Sequence, residues 1–229
     1  SRNTGLLCGM KLVTDVIEGG GSIYVSPTSP EILAPQAESG LGIKTFTPPV
    51  EQEEILYGAK LQQAARYCRE NGLNRITINS DQARLGIVAS GKSYQDLSQA
   101  LHAMGVSGSE LGSLGIRVLK VGMVWPLEEE IVRDFAEGLD TIVVVEEKRP
   151  LLEDQIKTIL YGTHAPKIIG KVFNGSVYGS QPGETAFANS GEIDPGRITE
   201  VLKKAAETLD PNSRVPVPNF PETSNSAAA

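Results

Sequence analysis

The chain has 229 residues, with 21 Lys+Arg against 28 Asp+Glu, a formal net charge of −7 and 40% apolar residues. Such a length sustains a core without disulfides or metals and predicts one full domain with some surplus. The acidic balance excludes nucleic acid or an anionic membrane surface as the main partner, since phosphate binding needs clustered Lys and Arg. The longest apolar runs fall far short of the ~20 residues of a spanning helix.

In chain order, residues 5–18 carry Leu6, Leu7, Met10, Val13, Val16 and Ile17 at helical spacing, and Gly19-Gly20-Gly21 stops that helix. Ser22–Val25 is a short strand candidate. Five prolines between Ser26 and Pro49 predict an irregular surface path. Glu51–Asn71 reads as a helix, with Ile55, Ala59, Ala65 and Cys68 near one stripe and Asn71-Gly72 as its cap. Strands are then expected at Arg75–Ser80, Leu85–Ser90, Ile116–Val121, Thr141–Glu146 and Lys167–Phe173. Helices are expected at Ser93–Met104, Leu127–Gly138, Leu151–Tyr161 and Pro195–Leu209. Ser93, Glu128 with its two following glutamates, and Asp194-Pro195 supply helix-start signals.

Alternation of helices with near-continuous Val/Ile strands implies a three-layer α/β/α domain around a sheet covered on both faces. The first strand, separated from the second by only Asp81–Arg84, has no room for a crossover helix and is expected to run antiparallel to the rest. Residues 210–229, rich in Pro, Ser and Asn, read as a disordered linker. Cys8 and Cys68 lack CxxC spacing, and with His102 and His164 they are too few for an iron–sulfur cluster or structural zinc. They read as reduced thiols, and with no secretory leader pattern the chain is expected to be cytoplasmic.

Gly86-Ile87-Val88-Ala89-Ser90-Gly91-Lys92-Ser93 fits the phosphate-loop pattern letter for letter. In a working phosphate loop the strand ends before the first glycine, so that open backbone N–H groups ring the phosphates. Here Ile87, Val88 and Ala89 form the apolar centre of a strand, which leaves only Gly91, Lys92 and Ser93 as candidates for an anion at a helix start. Glu146-Glu147-Lys148-Arg149 stands at the carboxyl end of a central strand, where open parallel sheets place ligands, and equally suits a salt-bridged rim or a subunit contact. His102 and His164 have no triad partner in the sequence, and Trp125 is expected to anchor packing at the mouth of the sheet. No catalytic residue and no metal ligand is assigned.

Several stretches together carry a resemblance. Arg84–Tyr94, Gly115–Val118, Val121–Leu127 and Val143–Arg149 resemble the transketolase C-terminal-like domain of thiamine-diphosphate-dependent 2-oxoacid:ferredoxin oxidoreductases, nearest the indolepyruvate branch. Tyr67–Ile76 and Gly191–Pro195 add to it, and Gly5–Glu18 resembles the end of the preceding pyrimidine-binding domain. The resemblance implies a five-stranded mixed sheet ordered 1-3-2-4-5 and a division into a pyrimidine-domain remnant at 1–50, the transketolase-like domain at 51–209 and the linker at 210–229. It further implies a homo-oligomeric parent enzyme in which thiamine diphosphate, magnesium and [4Fe–4S] clusters sit on other domains or subunits, coenzyme A accepts the acyl group and ferredoxin takes the electrons. This chain would then be a noncatalytic packing and subunit-contact domain, with Glu146, Glu147, Lys148 and Arg149 as interface candidates. The alternatives are a stand-alone nucleotide- or anion-binding module using Gly91-Lys92-Ser93, and the equivalent domain of a transketolase or a 2-oxoacid dehydrogenase E1 component.

Overall fold

Strands that are apolar on both sides need cover on both faces, and five short strands meet that need in a single sheet. The computed structural model describes residues 3–12, 18–20, 22, 24–25, 27–28, 31–34, 41–42, 45–106, 108–163, 166–178 and 183–209. Two compact units divide the chain, Ser1–Leu73 and Asn74–Ala229.

In the first unit, α1 (Pro49–Ile55), a π-helical turn (Leu56–Lys60) and α2 (Leu61–Glu70) follow one another without a break. The helix expected over 51–71 is therefore present, with one widened turn inside it. Asn71 closes it by donating to the Tyr67 carbonyl at 2.9 Å and by exchanging two hydrogen bonds with the backbone of Leu33. The head departs from expectation. Gly5–Leu12 is not helical, and neither Ser22, Tyr24 nor Val25 lies in a strand; residues 13–17 and 23 lie outside the described residues. Leu7, Met10, Leu12 and Tyr24 are all exposed. A short amphipathic segment that buries no apolar stripe does not recover the entropy of being ordered.

The second unit is built on β1 (Arg75–Ile78), β2 (Leu85–Ser90), β3 (Ile116–Val121), β4 (Thr141–Val145) and β5 (Lys167–Ile169). Their spatial order is β1-β3-β2-β4-β5. β1 runs antiparallel to β3, and the other three pairings are parallel. Both the order and the antiparallel first strand are as expected. Between and after the strands lie α3 (Gly91–Ala103), α4 (Gly108–Ser113), α5 (Glu129–Ala136), α6 (Leu151–Ile159) and α7 (Pro195–Glu207).

Strand periodicity divides the core in two. Leu85, Ile87, Ala89, Val143 and Val145 face α3, α4 and α7, while Val88, Leu119, Ile142 and Val144 face α5 and α6. Gly86 also faces the second layer, where a Cβ would meet Leu139 Cδ1 at 2.4 Å and Phe135 Cζ at 2.7 Å. Its glycine is required by close helix–sheet packing, and the strand continues to Ser90.

Two boundaries and one helix differ from the sequence reading for identifiable reasons. α3 begins at Gly91, directly after extended Ser90, because Gly91 adopts φ +53° and turns the chain; Ser93 is a buried first-turn residue and not the cap. α4 was not expected, since its Gly/Ser-rich run reads as a turn, yet Leu111 is buried in the core beside Ile116 and Val118. β5 stops at Ile169, short of Phe173, because the Lys171 backbone N–H is taken by the Glu153 carboxylate at 2.9 Å and is lost to strand pairing.

Candidate functional site

The parallel strands end their carboxyl edge beside the first turns of α3, α5 and α6, where charged side chains from separate parts of the chain meet. Lys92, in the first turn of α3, donates to Asp96 at 2.9 Å and to Glu147 at 3.2 Å, and Glu192 lies 3.8 Å away. The hydrogen bond to Asp96 leads in holding the ammonium above its usual range, with Glu147 adding and burial opposing. Of the three anion candidates, Gly91 forms the turn, Lys92 is committed to carboxylates and Ser93 is buried.

Glu146 and Glu147 point to different tasks. Buried Glu146 accepts from the backbone N–H groups of Leu151, Leu152 and Glu153 at 3.1, 2.8 and 3.0 Å, so its carboxylate caps α6. Anionic caps suit the positive end of a helix, and Pro150 leaves none of its own. Glu147 is half-buried and binds Lys92, with the Ile193 N–H at 3.4 Å. Lys148 and Arg149 are exposed, and Lys148 holds φ 59°, an uncommon conformation for a side-chain-bearing residue.

Behind this turn is Lys171, 1% exposed, whose ammonium donates to the Glu146 carbonyl. Glu153, equally buried, accepts from the Lys171 backbone N–H and from Lys157 at 2.6 Å. Burial pushes the Lys171 ammonium down, opposed by Glu146, Glu153 and Glu147. Burial likewise pushes the Glu146 carboxyl up, opposed by the α6 N–H groups and by Lys171, with Glu153 adding to the rise. Sequence reading nominated Glu146 but missed Lys171 and Glu153. A lysine inside the apolar run from Ile168 to Phe173 was the available signal, because lysine is almost never fully buried unless paired.

The loop from β3 to α5 completes the edge. Asn74 Oδ1 accepts from Gly122 and Met123, both at 2.9 Å, and Gln155 accepts from Leu127 at 2.9 Å while donating to Val124 at 2.9 Å. Trp125, joined to Pro126 by a cis bond, sits at the mouth of the sheet as expected but is 57% exposed, so it is not a buried packing anchor. The reason is that side-chain amides, not the indole, hold the loop. His102 is exposed on α3, and His164 lies outside the described residues.

At the opposite edge a cleft of about 620 Å³ is lined by Arg84, Arg117, Asp140 and Lys167 among others. Arg84 pairs there with Asp140 at 2.6 Å, and Arg117 binds Asn79 and three backbone carbonyls, so both arginines serve the fold. Among the described residues, no group of three or more His, Cys, Asp and Glu side chains is placed to hold a metal ion, and no helix is long and apolar enough to cross a membrane.

Comparison with known proteins gives a family match and sequence relatives of the same description. The model of the indolepyruvate oxidoreductase domain matches residues 75–214, from β1 past the end of α7. The indolepyruvate oxidoreductase subunit IorA of Methanothermobacter thermautotrophicus is 30% identical over 100 residues, covering 44% of this chain and 15% of the relative. That of Thermococcus kodakarensis is 32% identical over 93 residues, covering 39% of this chain and 13% of the relative. This chain thus spans a small part of the length of those relatives. Among solved structures, a 2-oxoglutarate:ferredoxin oxidoreductase from Magnetococcus marinus, with 2-oxoglutarate, coenzyme A and succinyl-CoA bound, aligns with TM-score 0.42 at 16% identity, covering 85% of this chain and 30% of that one.

Proposed function

The chain belongs to the indolepyruvate oxidoreductase domain family, and from that premise we propose that it is a packing and subunit-contact domain of a 2-oxoacid:ferredoxin oxidoreductase acting on indolepyruvate or a related aryl-pyruvate. The observation that carries this reading is the span of the family match, which takes in all five strands and the helices α3 to α7. In the proposed parent reaction the 2-oxoacid and coenzyme A give an acyl-CoA, carbon dioxide, a proton and two electrons, and ferredoxin receives the electrons. Thiamine diphosphate with magnesium would supply the carbanion chemistry from another domain.

The donor set of this chain does not fit a [4Fe–4S] cluster. A cluster of that type takes four thiolates, and the two cysteines here are Cys8, exposed, and Cys68, buried. What the chain's own residues do is mechanical: Glu146 caps α6, Lys171 ties the Glu146 backbone, and Glu147 with Lys92 fixes the other side of the turn. The turn so held presents Lys148 and Arg149 outward, and these with half-buried Glu147 form the proposed contact; Glu146, also a candidate in the sequence, is buried as the α6 cap and supports the contact from within. The same reading assigns residues 1–50 to the closing part of a pyrimidine-binding domain, 51–209 to the transketolase-like domain and 210–229 to the connection that follows. The same reading makes the parent homo-oligomeric and cytoplasmic, the latter in keeping with Cys8 and Cys68 forming no disulfide.

Two measurements test it. Calorimetry on the isolated chain should show no tight uptake of thiamine diphosphate; submicromolar binding would count decisively against a contact role. In the assembled oxidoreductase, Lys148→Glu with Arg149→Glu should weaken co-purification of the companion polypeptides and lower indolepyruvate-dependent ferredoxin reduction in parallel. Unchanged assembly and activity would remove the turn from the interface.

A further inference from the structure

The dipeptide Asn-Gly occurs twice in the chain, at Asn71-Gly72 and at Asn174-Gly175. Glycine in the second position has no Cβ to obstruct its own backbone nitrogen, which can therefore close on the asparagine side-chain carbonyl carbon, Cγ. Whether that happens in a folded chain depends on how each pair is held.

The two pairs are held in opposite ways. Asn71 Nδ2 donates to the carbonyls of Leu33 and Tyr67 at 2.7 and 2.9 Å, its Oδ1 accepts from the Leu33 N–H at 2.8 Å, and the Gly72 N–H donates to the Arg69 carbonyl at 3.1 Å. Both reacting groups are committed, so ring closure there must first open the helix end. Asn174 and Gly175 are exposed in the segment between β5 and α7. Among the described residues, no hydrogen bond engages the Asn174 amide or the Gly175 N–H.

We propose that Asn174 is a site of spontaneous deamidation. The Gly175 nitrogen bonds to Asn174 Cγ as the Cγ–Nδ2 bond breaks. The proton of that nitrogen passes through water to the leaving group, which departs as ammonia. One water then opens the five-membered imide: cleavage at Cγ leaves aspartate at position 174, and cleavage at the main-chain carbonyl leaves isoaspartate. Nothing is oxidised or reduced, and water is the one co-reactant. Either product adds a negative charge to an acidic chain.

The isoaspartyl product also changes the backbone, because it inserts a methylene where two stretches of main chain touch. A Cβ on Gly183 would lie 1.6 Å from the Asn174 carbonyl oxygen, and one on Gly175 would lie 3.2 Å from Gly183 Cα. Beside this contact the Gly183 N–H donates to the Ser176 carbonyl at 3.1 Å. Packing that close has no room for a longer chain, so the modification separates residues 174–176 from Gly183 and breaks that hydrogen bond.

The test is to hold the 229-residue chain in mildly alkaline water enriched in heavy oxygen and to map its peptides by mass. The Asn174 peptide should lose ammonia, take up one solvent oxygen and divide into aspartyl and isoaspartyl forms, at least about tenfold faster than the Asn71 peptide, whose reaction waits on local opening. In denaturant the two rates should converge. Asn174→Gln should remove the isoaspartyl product from that peptide and leave the Asn71 peptide as it was. An Asn174 peptide that stays unchanged, or that converts no faster than Asn71 in the folded chain, overturns the inference. A rate difference that persists in denaturant overturns it too, because local sequence and not the fold would then set the rates. In the isoaspartyl fraction the Gly183 amide should exchange faster with solvent; unchanged exchange there would overturn the backbone displacement.

Discussion

Gly86 and Lys171 show how much one position can conceal. Gly86 begins a letter-perfect phosphate-loop pattern, yet it lies within β2, where Leu139 and Phe135 occupy the space that a Cβ would need. Gly86→Ala should therefore destabilise the fold by about 1–3 kcal/mol through overpacking, read as a lower denaturation midpoint. An unchanged midpoint would mean that α5 can move off the sheet. The apolar Ile87-Val88-Ala89 run made that conclusion legible in the sequence. Lys171 was not legible in the same way, because the carboxylates that act on it, Glu146, Glu147 and Glu153, come from the end of β4 and from α6, well separated from it in the chain.

The charge balance at Lys171 also carries a pH dependence. Glu146 has its carboxyl pushed up by burial, and Lys171 is one of the groups that oppose the rise. A carboxyl raised above its unfolded value lowers stability when charged, and that deficit fades as pH falls through the folded value. Lys171→Met leaves the Glu146 carbonyl without its donor and Glu146 and Glu153 near one cation fewer, a change that costs about 1–3 kcal/mol near neutrality. The deficit relative to the natural chain should shrink as the pH approaches the ordinary carboxylate range from above. Denaturant titrations at several pH values check this, and a deficit constant from pH 7 to pH 5 would show that Lys171 does not act on the carboxylates.

Among the elements, the strands and long helices followed from periodicity because burial on both faces leaves an unbroken Val/Ile signature in β2 and β4. Ends were less legible, since they depend on capping partners remote in sequence: Glu146 caps a helix that begins five residues later, and Glu153 halts β5. The β3–α5 loop is the extreme case. Asn74 holds it from 48 residues away, and no local signal identifies that asparagine. Asn74→Ala should leave the Gly122 and Met123 N–H groups without their acceptor and lower stability by about 1–2 kcal/mol. Hydrogen exchange should rise at those two amides while the centre of β2 stays protected. Unaltered exchange at both would mean that other groups fix the loop.

For the molecule as a whole, element order led to a helix-covered sheet with an antiparallel first strand, because crossover length restricts topology severely, whereas the strand order 1-3-2-4-5 came from the family resemblance. The candidate site was legible only in part. Glu146–Arg149 stands out as a charged run, whereas the partners that shape it, Lys92, Glu153 and Lys171, meet it only in three dimensions. In the described part of the head, Gly5–Leu12 is not helical despite its spacing, because spacing tells nothing of whether a surface exists to receive the apolar residues.

Sheet order has a temporal side as well. Among the described residues β1 pairs with β3 alone in the sheet, and its partner residues lie about forty positions later, with Arg75 opposite Lys120. A chain emerging from the ribosome exposes β1 first but cannot seat it until β2, α3, α4 and β3 have all been made. The edge strand is thus a late joiner despite its early synthesis, and Ile76 and Ile78 wait in solvent during that interval. The flanking charges of Arg75 and Asp81 then guard a nascent segment against pairing with its neighbours on the polysome.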